Sequence, residues 1–122
     1  MSLLSLSSSR SYYLHKGATN MRKGFNSLTA MIRAELGQDP LSGNVFIFFN
    51  RQRNQVKILQ FEGDGFGMFH KRLEKGTFEL PNATGEGQDG VIAWHELQFI
   101  LQGVELTSIR FRKRYDRQTT AA

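Results

Sequence analysis

Apolar positions along the chain follow two periods. Met21, Phe25, Leu28, Ile32 and Leu36 recur every three or four residues, the spacing of a helix with one buried face. Thr19 or Asn20 supplies a capping side chain before this run and Gly37 a stop after it. The run "AWHELQFILQG" predicts a second helix, ending at Gly103. Between them "NVFIFF", "QVKILQF" and "FGMFHKRL" read as three strands joined by the turns "NRQRN" and "EGDG", an antiparallel meander. "SYYLH" at Ser11 to His15 is a further strand candidate, and "EKGTFELP" predicts a brief edge strand.

Both faces of the strands are apolar. Val45, Ile47 and Phe49 alternate with Phe46 and Phe48, and Val56 and Ile58 alternate with Leu59 and Phe61. A sheet with one wet face alternates apolar with polar residues, so this sheet is expected to be covered twice. One helix per face would do it; two helices on one side would leave a patch for a second subunit or a partner. The fold class expected is α+β: one domain with an antiparallel meander of three to five strands and two helices. Residues 1–10 read as a Ser-rich leader, 11–107 as the domain and 108–122 as a basic tail, with "NATGEGQDG" a polar, glycine-rich loop.

Length and composition fit this picture. A chain of 122 residues with ten Phe can bury a core without staples. The absence of cysteine removes thiolate metal sites, thiol nucleophiles and disulfides, consistent with a reducing, cytoplasmic setting. The leader lacks the apolar run of a signal peptide, and no segment reaches membrane-spanning length. Net charge is +5, and its placement is uneven: from Ser108 onward five cations face a single acid, so the tail alone accounts for most of the excess. Such a tail suits a polyanion.

Catalytic patterns are sparse. His15, His70 and His95 are far apart in sequence and form no metal-ligand spacing. "GDGFG" resembles a phosphate loop only superficially, since no helix follows it; it reads as a hairpin turn. Glu62, Asp64, Glu74, Glu79 and Glu96 fall at turns and a helix surface, with no pair fixed near a nucleophile. The expectation is a binding protein, not an enzyme, without cofactor or metal. The cations form a more coherent set: Arg22 and Lys23 at the opening of the first helix, Arg51 and Arg53 in the first hairpin among Asn50, Gln52, Asn54 and Gln55, and Lys71 and Arg72 closing the third strand. With Arg110, Arg112, Lys113 and Arg114 of the tail, they are the candidate DNA-binding residues, long cations and amides being the groups that meet phosphates and base edges. Arg22 and Lys23 would oppose a helix dipole. A shared phosphate would reverse that penalty; pairing with Glu62 or Glu74 would be the internal alternative.

The blocks "TNMRKGF", "DPLSGNVFIFFNRQRNQVKIL", "EGDGFGMFHKRLEKGTFELP" and "WHELQFILQGV", in that order over roughly Tyr12 to Val104, closely resemble the Orf2-like accessory proteins (TnpB type) of the IS66 insertion-sequence family. Asn20 stands where that family usually has Asp, Gln60 where an aromatic is common, and Glu62 in place of Asp. The resemblance implies a small non-catalytic protein that assists a separate, larger transposase. The partners expected of such a protein are insertion-sequence end DNA, the transposase of the same element and a second copy of the chain, with no membrane. The motif positions carried over are Met21, Arg22, Lys23, Gly24 and Phe25, then Asp39, Pro40, Ser42 and Gly43, then Lys71, Arg72, Leu73 and Glu74. Met21 and Phe25 are expected to pack, and Arg22, Lys23, Lys71 and Arg72 to make contact with the partner.

Overall fold

Five strands form one sheet in the order β4-β3-β2-β1-β5, in a computed structural model that describes residues 7–80 and 90–103. β1 is Tyr12–Ala18, β2 Val45–Phe49, β3 Gln55–Phe61, β4 Phe66–Arg72 and β5 Gly90–Ile92. The helices are α1, Phe25–Glu35, and α2, Trp94–Gln102, with a single 3-10 turn at Pro40–Ser42. β2, β3 and β4 are the expected antiparallel meander. β1 runs parallel to β2 and antiparallel to β5. A parallel neighbour needs a long crossover, and α1 with the 3-10 turn provides it.

The sheet is covered on both faces, one helix to each. Tyr12, Leu14, Val45, Ile47, Phe49, Val56 and Ile58 pack with Leu97 and Ile100 of α2. Phe46, Phe48 and Leu59 pack with Leu28, Met31 and Ile32 of α1. Adjacent phenylalanines of β2 therefore enter different cores, as the two-faced apolar pattern requires.

Turn chemistry accounts for the motif at Asp39 to Gly43. The Asp39 carboxylate accepts from the Leu41 N–H at 2.9 Å, Pro40 opens the 3-10 turn, and Gly43 closes it at φ 89°. The Gly43 carbonyl accepts from the buried Gln60 amide at 3.0 Å, so this motif serves the fold. The "GDGFG" segment is the β3–β4 hairpin, closed by Glu62 N–H to Gly65 O at 2.7 Å with Gly63 at φ 97°. α2 ends at Gly103 in the left-handed region, as expected, and Gly37 follows α1 at φ 64°.

Three expectations need correction. α1 begins at Phe25, not near Thr19. Asn20 does cap, but what it caps is a tight turn: its side chain accepts from the Arg22 N–H at 2.8 Å and its carbonyl from Lys23 N–H at 3.1 Å. Extended Gly24, with ψ −156°, then separates that turn from the helix. Phe25, now on the first exposed turn, is 46% exposed and does not join the core. The segment "EKGTFELP" contributes no strand among its described residues. The Leu73 and Phe78 N–H groups donate to the Asn54 and Arg53 carbonyls, both at 2.7 Å, which ties this segment to the hairpin loop and drops both side chains into the α2-side core. β5 forms the other edge of the sheet instead.

Candidate nucleic-acid interface

The C-terminal ends of β1, β2 and β4 and the start of β3 meet at one end of the sheet, on the face that carries α1. There the chain opens a cleft of about 640 Å³, lined by Ala18, Thr19, Asn20, Met21 and Arg22 on one wall, Asn50, Arg51 and Gln52 on the other, and Gln55 with His70. Among the described residues the lining contains no carboxylate.

One wall is held by a buried cation. Lys57 is 7% exposed, in register between Phe48 and His70. A lysine is rarely buried without partners, and its ammonium donates to the carbonyls of Met21 at 2.8 Å and Lys23 at 2.7 Å. The latch sets the turn that presents Arg22 to the cleft. Replacing Lys57 by Met is expected to cost about 1–3 kcal/mol of stability, the scale of lost charged hydrogen bonds, and to speed amide exchange at residues 20–24 ahead of the rest of the fold. Denaturant titration and hydrogen exchange check both.

The opposite wall is the β2–β3 hairpin loop, residues 50–54, organised by the side chain of Asn50. Its carbonyl oxygen accepts from the Asn54 and Gln55 N–H groups at 3.0 and 2.9 Å, and its amide donates to Asn54 at 2.7 Å and Gln52 at 3.2 Å. Arg53 sits in the left-handed region at φ 59°, a conformation that costs an ordinary side chain about 1–2 kcal/mol.

Of the cations marked in the sequence, Arg22 and Arg51 line the cleft. Neither guanidinium has a hydrogen bond or ion pair among the described residues. The question raised by Arg22 and Lys23 therefore resolves without a helix dipole, because both residues precede α1, and Glu74, one of the two acids proposed to pair with them, is held by Arg72. That pair is bidentate in reverse, two guanidinium nitrogens on one carboxylate oxygen at 3.0 and 3.1 Å. Arg72 shares a face with Gln55 and His70, whereas Lys71 pairs across from Val56 and lies on the α2 side of the sheet. Lys23 and Arg53 flank the cleft in sequence without lining it. Arg110, Arg112, Lys113 and Arg114 lie outside the described residues.

His70 joins the site although its isolated position in the sequence gave no sign of it. Its Nε2 donates to the Gln55 side-chain oxygen at 2.9 Å. Desolvation, then the positive charges of Lys57 and Arg72, hold its pKa below the usual 6.5. The folded state thus binds fewer protons than the unfolded chain just below pH 6.5, so this group's contribution to stability is complete above that pH and is lost as pH falls toward its folded pKa. Urea midpoints between pH 5 and 7.5 are expected to fall more steeply on acidification in the wild type than in His70→Gln. Identical slopes would contradict the assignment.

The other histidines are structural. His15 is buried beside Phe48 and donates to Glu35 of α1 at 2.7 Å, and His95 lies edge-on to Phe99 on α2. Among the described residues no group of three or more histidines and carboxylates is placed to hold a metal ion, and no helix is long and apolar enough to cross a membrane.

A small α+β domain with a cationic cleft beside a turn of sequence "NMRKG" is thus defined. The chain belongs to the IS66 Orf2-like family: the family profile described as IS66 Orf2 like protein matches residues 10–111. That membership makes it a transposition-associated accessory protein. It is similar to the uncharacterized protein y4hO of Sinorhizobium fredii (strain NBRC 101917 / NGR234), 36% identical over 93 residues that cover 76% of this chain and 79% of the relative. A second protein of the same strain, the uncharacterized protein y4jC, is 28% identical over 105 residues, covering 84% of this chain and 86% of its own. No solved structure matches.

Proposed function

We propose that this protein is a non-catalytic accessory factor that holds insertion-sequence DNA by its backbone phosphates, in the cytoplasm, while the separate transposase performs the strand chemistry. The observation that carries this reading is the pairing of Arg22 and Arg51 across a cleft lined without a carboxylate, each guanidinium lacking an internal partner among the described residues. A planar guanidinium suits phosphate oxygens, and the surrounding Asn and Gln side chains add neutral donors. Lys23 and Arg53 extend the positive surface beside the cleft, and the tail residues Arg110, Arg112, Lys113 and Arg114 add non-specific attraction. Arg72 and Lys71 contribute less, one held by Glu74 and the other on the α2 side.

The test is a salt titration of binding to element-end DNA. Each phosphate neutralised contributes a slope of about −0.9 for duplex in a plot of log affinity against log salt, so two to four contacts predict a slope of about −2 to −4. A flat plot, or no binding at low salt, would contradict the reading. Exposed Phe69, Val91, Trp94 and Phe99 favour a second reading, an adaptor that docks the transposase. In that case co-purification would survive nuclease treatment and fail in Phe69→Glu or Phe99→Glu.

A further inference from the structure

The shape and hydrogen-bonding capacity of the cleft narrow the form of DNA it can take. Groove readers insert a convex element, a helix or a two-stranded ribbon, into a major groove about 12 Å wide. This site is the reverse, a recess of about 640 Å³, within the range of about 300–1,000 Å³ that encloses small organic ligands. The body of a duplex is too wide to enter it, although phosphates on the outside of a duplex can reach the exposed Arg22 and Arg51; a single nucleotide fits inside.

The lining groups also sort into two kinds. Asn50 has no capacity left, since both its amide protons and both acceptor positions of its oxygen are used within the loop. Among the described residues Gln52 and Gln55 each spend only the side-chain oxygen, toward Asn50 and His70, which leaves both NH₂ groups to donate to a ligand. Because Nε2 of His70 donates to Gln55, the neutral ring offers Nδ1 as an acceptor. The cleft therefore presents two charged forks suited to a phosphate, and beside them two amide donors and one ring acceptor suited to the edge of a base. In a recess, a base can offer such an edge only once it has left the stack, which also frees its Watson–Crick edge.

We propose that the cleft binds an unpaired nucleotide of DNA, its phosphate on Arg22 and Arg51 and its base edge on Gln52, Gln55 and His70, so that the protein prefers single-stranded or overhanging ends to intact duplex. This rests on the DNA-binding reading above and goes further in naming the strand state.

The experiment is fluorescence anisotropy with the full chain and three probes of one sequence: a blunt duplex, the same duplex with a short overhang at either end, and the single strand. Overhang and single strand are expected to bind about tenfold or more tightly than the blunt duplex, a gap on the scale of one or two base-edge contacts. Gln52→Ala, in the exposed hairpin loop, and Gln55→Ala are expected to shrink that preference while a urea titration confirms each variant is folded. If the blunt duplex binds as well as the other probes, the strand-state inference is overturned and DNA binding stands. A preference for single strands that neither glutamine variant reduces also overturns it, placing the unpaired strand elsewhere on the surface. If no probe binds more tightly to the wild type than to the Arg22→Ala, Arg51→Ala double variant, both the inference and the DNA-binding reading fail.

Discussion

Replacing Arg22 and Arg51 together by alanine is expected to weaken DNA binding about 100-fold at low salt while leaving stability within about 0.5 kcal/mol of the wild type. The loss follows from removing two charged hydrogen-bonding groups, each on the scale of about 1.5–3 kcal/mol when its partner is bound, with part of it offset by solvent at so open a site. The small stability change follows because both side chains are exposed and without internal partners among the described residues, and surface substitutions away from caps and networks are close to neutral. The salt plot should become shallower by about 2, one step of roughly 0.9 per lost phosphate contact. Arg72→Ala should do less to binding, since Arg72 already holds Glu74. Equal losses at Arg72 and in the double variant would move the interface from the cleft to the edge strand.

The largest stability effect is expected in β2, where Phe48 and Phe49 are neighbours in sequence and sit in different cores. Phe48 is fully buried against the α1 side and Phe49 nearly so against the α2 side. Phe→Ala in a packed core costs about 3–5 kcal/mol, against a total of about 5–15 kcal/mol for a domain. Phe48→Ala and Phe49→Ala are therefore each expected to lower the melting temperature by roughly 12–40 °C at about 4–8 °C per kcal/mol. Phe25→Ala, at a position nearly half exposed, should stay within about 1 kcal/mol. Differential scanning calorimetry separates these outcomes. If only one of the two β2 variants were costly, one face of the sheet would be open.

Much of this architecture was legible in periodicity. Leu28 and Ile32 announce α1, and the uninterrupted "VFIFF" announces a strand buried on both faces, because in each case the solvent pattern is also the fold pattern. The start of α1 was not legible, since Asn20 offers the same capping chemistry to a lone turn as to a helix, and the choice was decided by Lys57 pulling the Met21 and Lys23 carbonyls inward from 36 and 34 residues away. The parallel pairing of β1 with β2 and the addition of β5 are long-range events that local pattern does not encode.

The candidate site shows the same division. Arg22 and Arg51 stood out as cations among amides, yet nothing in the chain says that the turn at Asn20 and the hairpin at Asn50 face each other. That follows from the parallel β1–β2 pair, which brings both strand ends to one side. Lys57 inside "QVKILQF" carries no local sign of its role, because a single lysine between apolar residues has the pattern of a strand's polar face. The place of His70 is equally hidden in the sequence, because histidine function depends on neighbours, here Gln55 and Lys57, that only β3–β4 register supplies.

The most direct measurement is a nuclear magnetic resonance titration of the isotope-labelled protein with a short single-stranded oligonucleotide. Binding in the cleft predicts that the amides of Ala18 to Arg22, Asn50 to Gln55 and His70 shift together and saturate at one affinity. Shifts confined to β5 and α2, with those cleft amides unmoved, would contradict it.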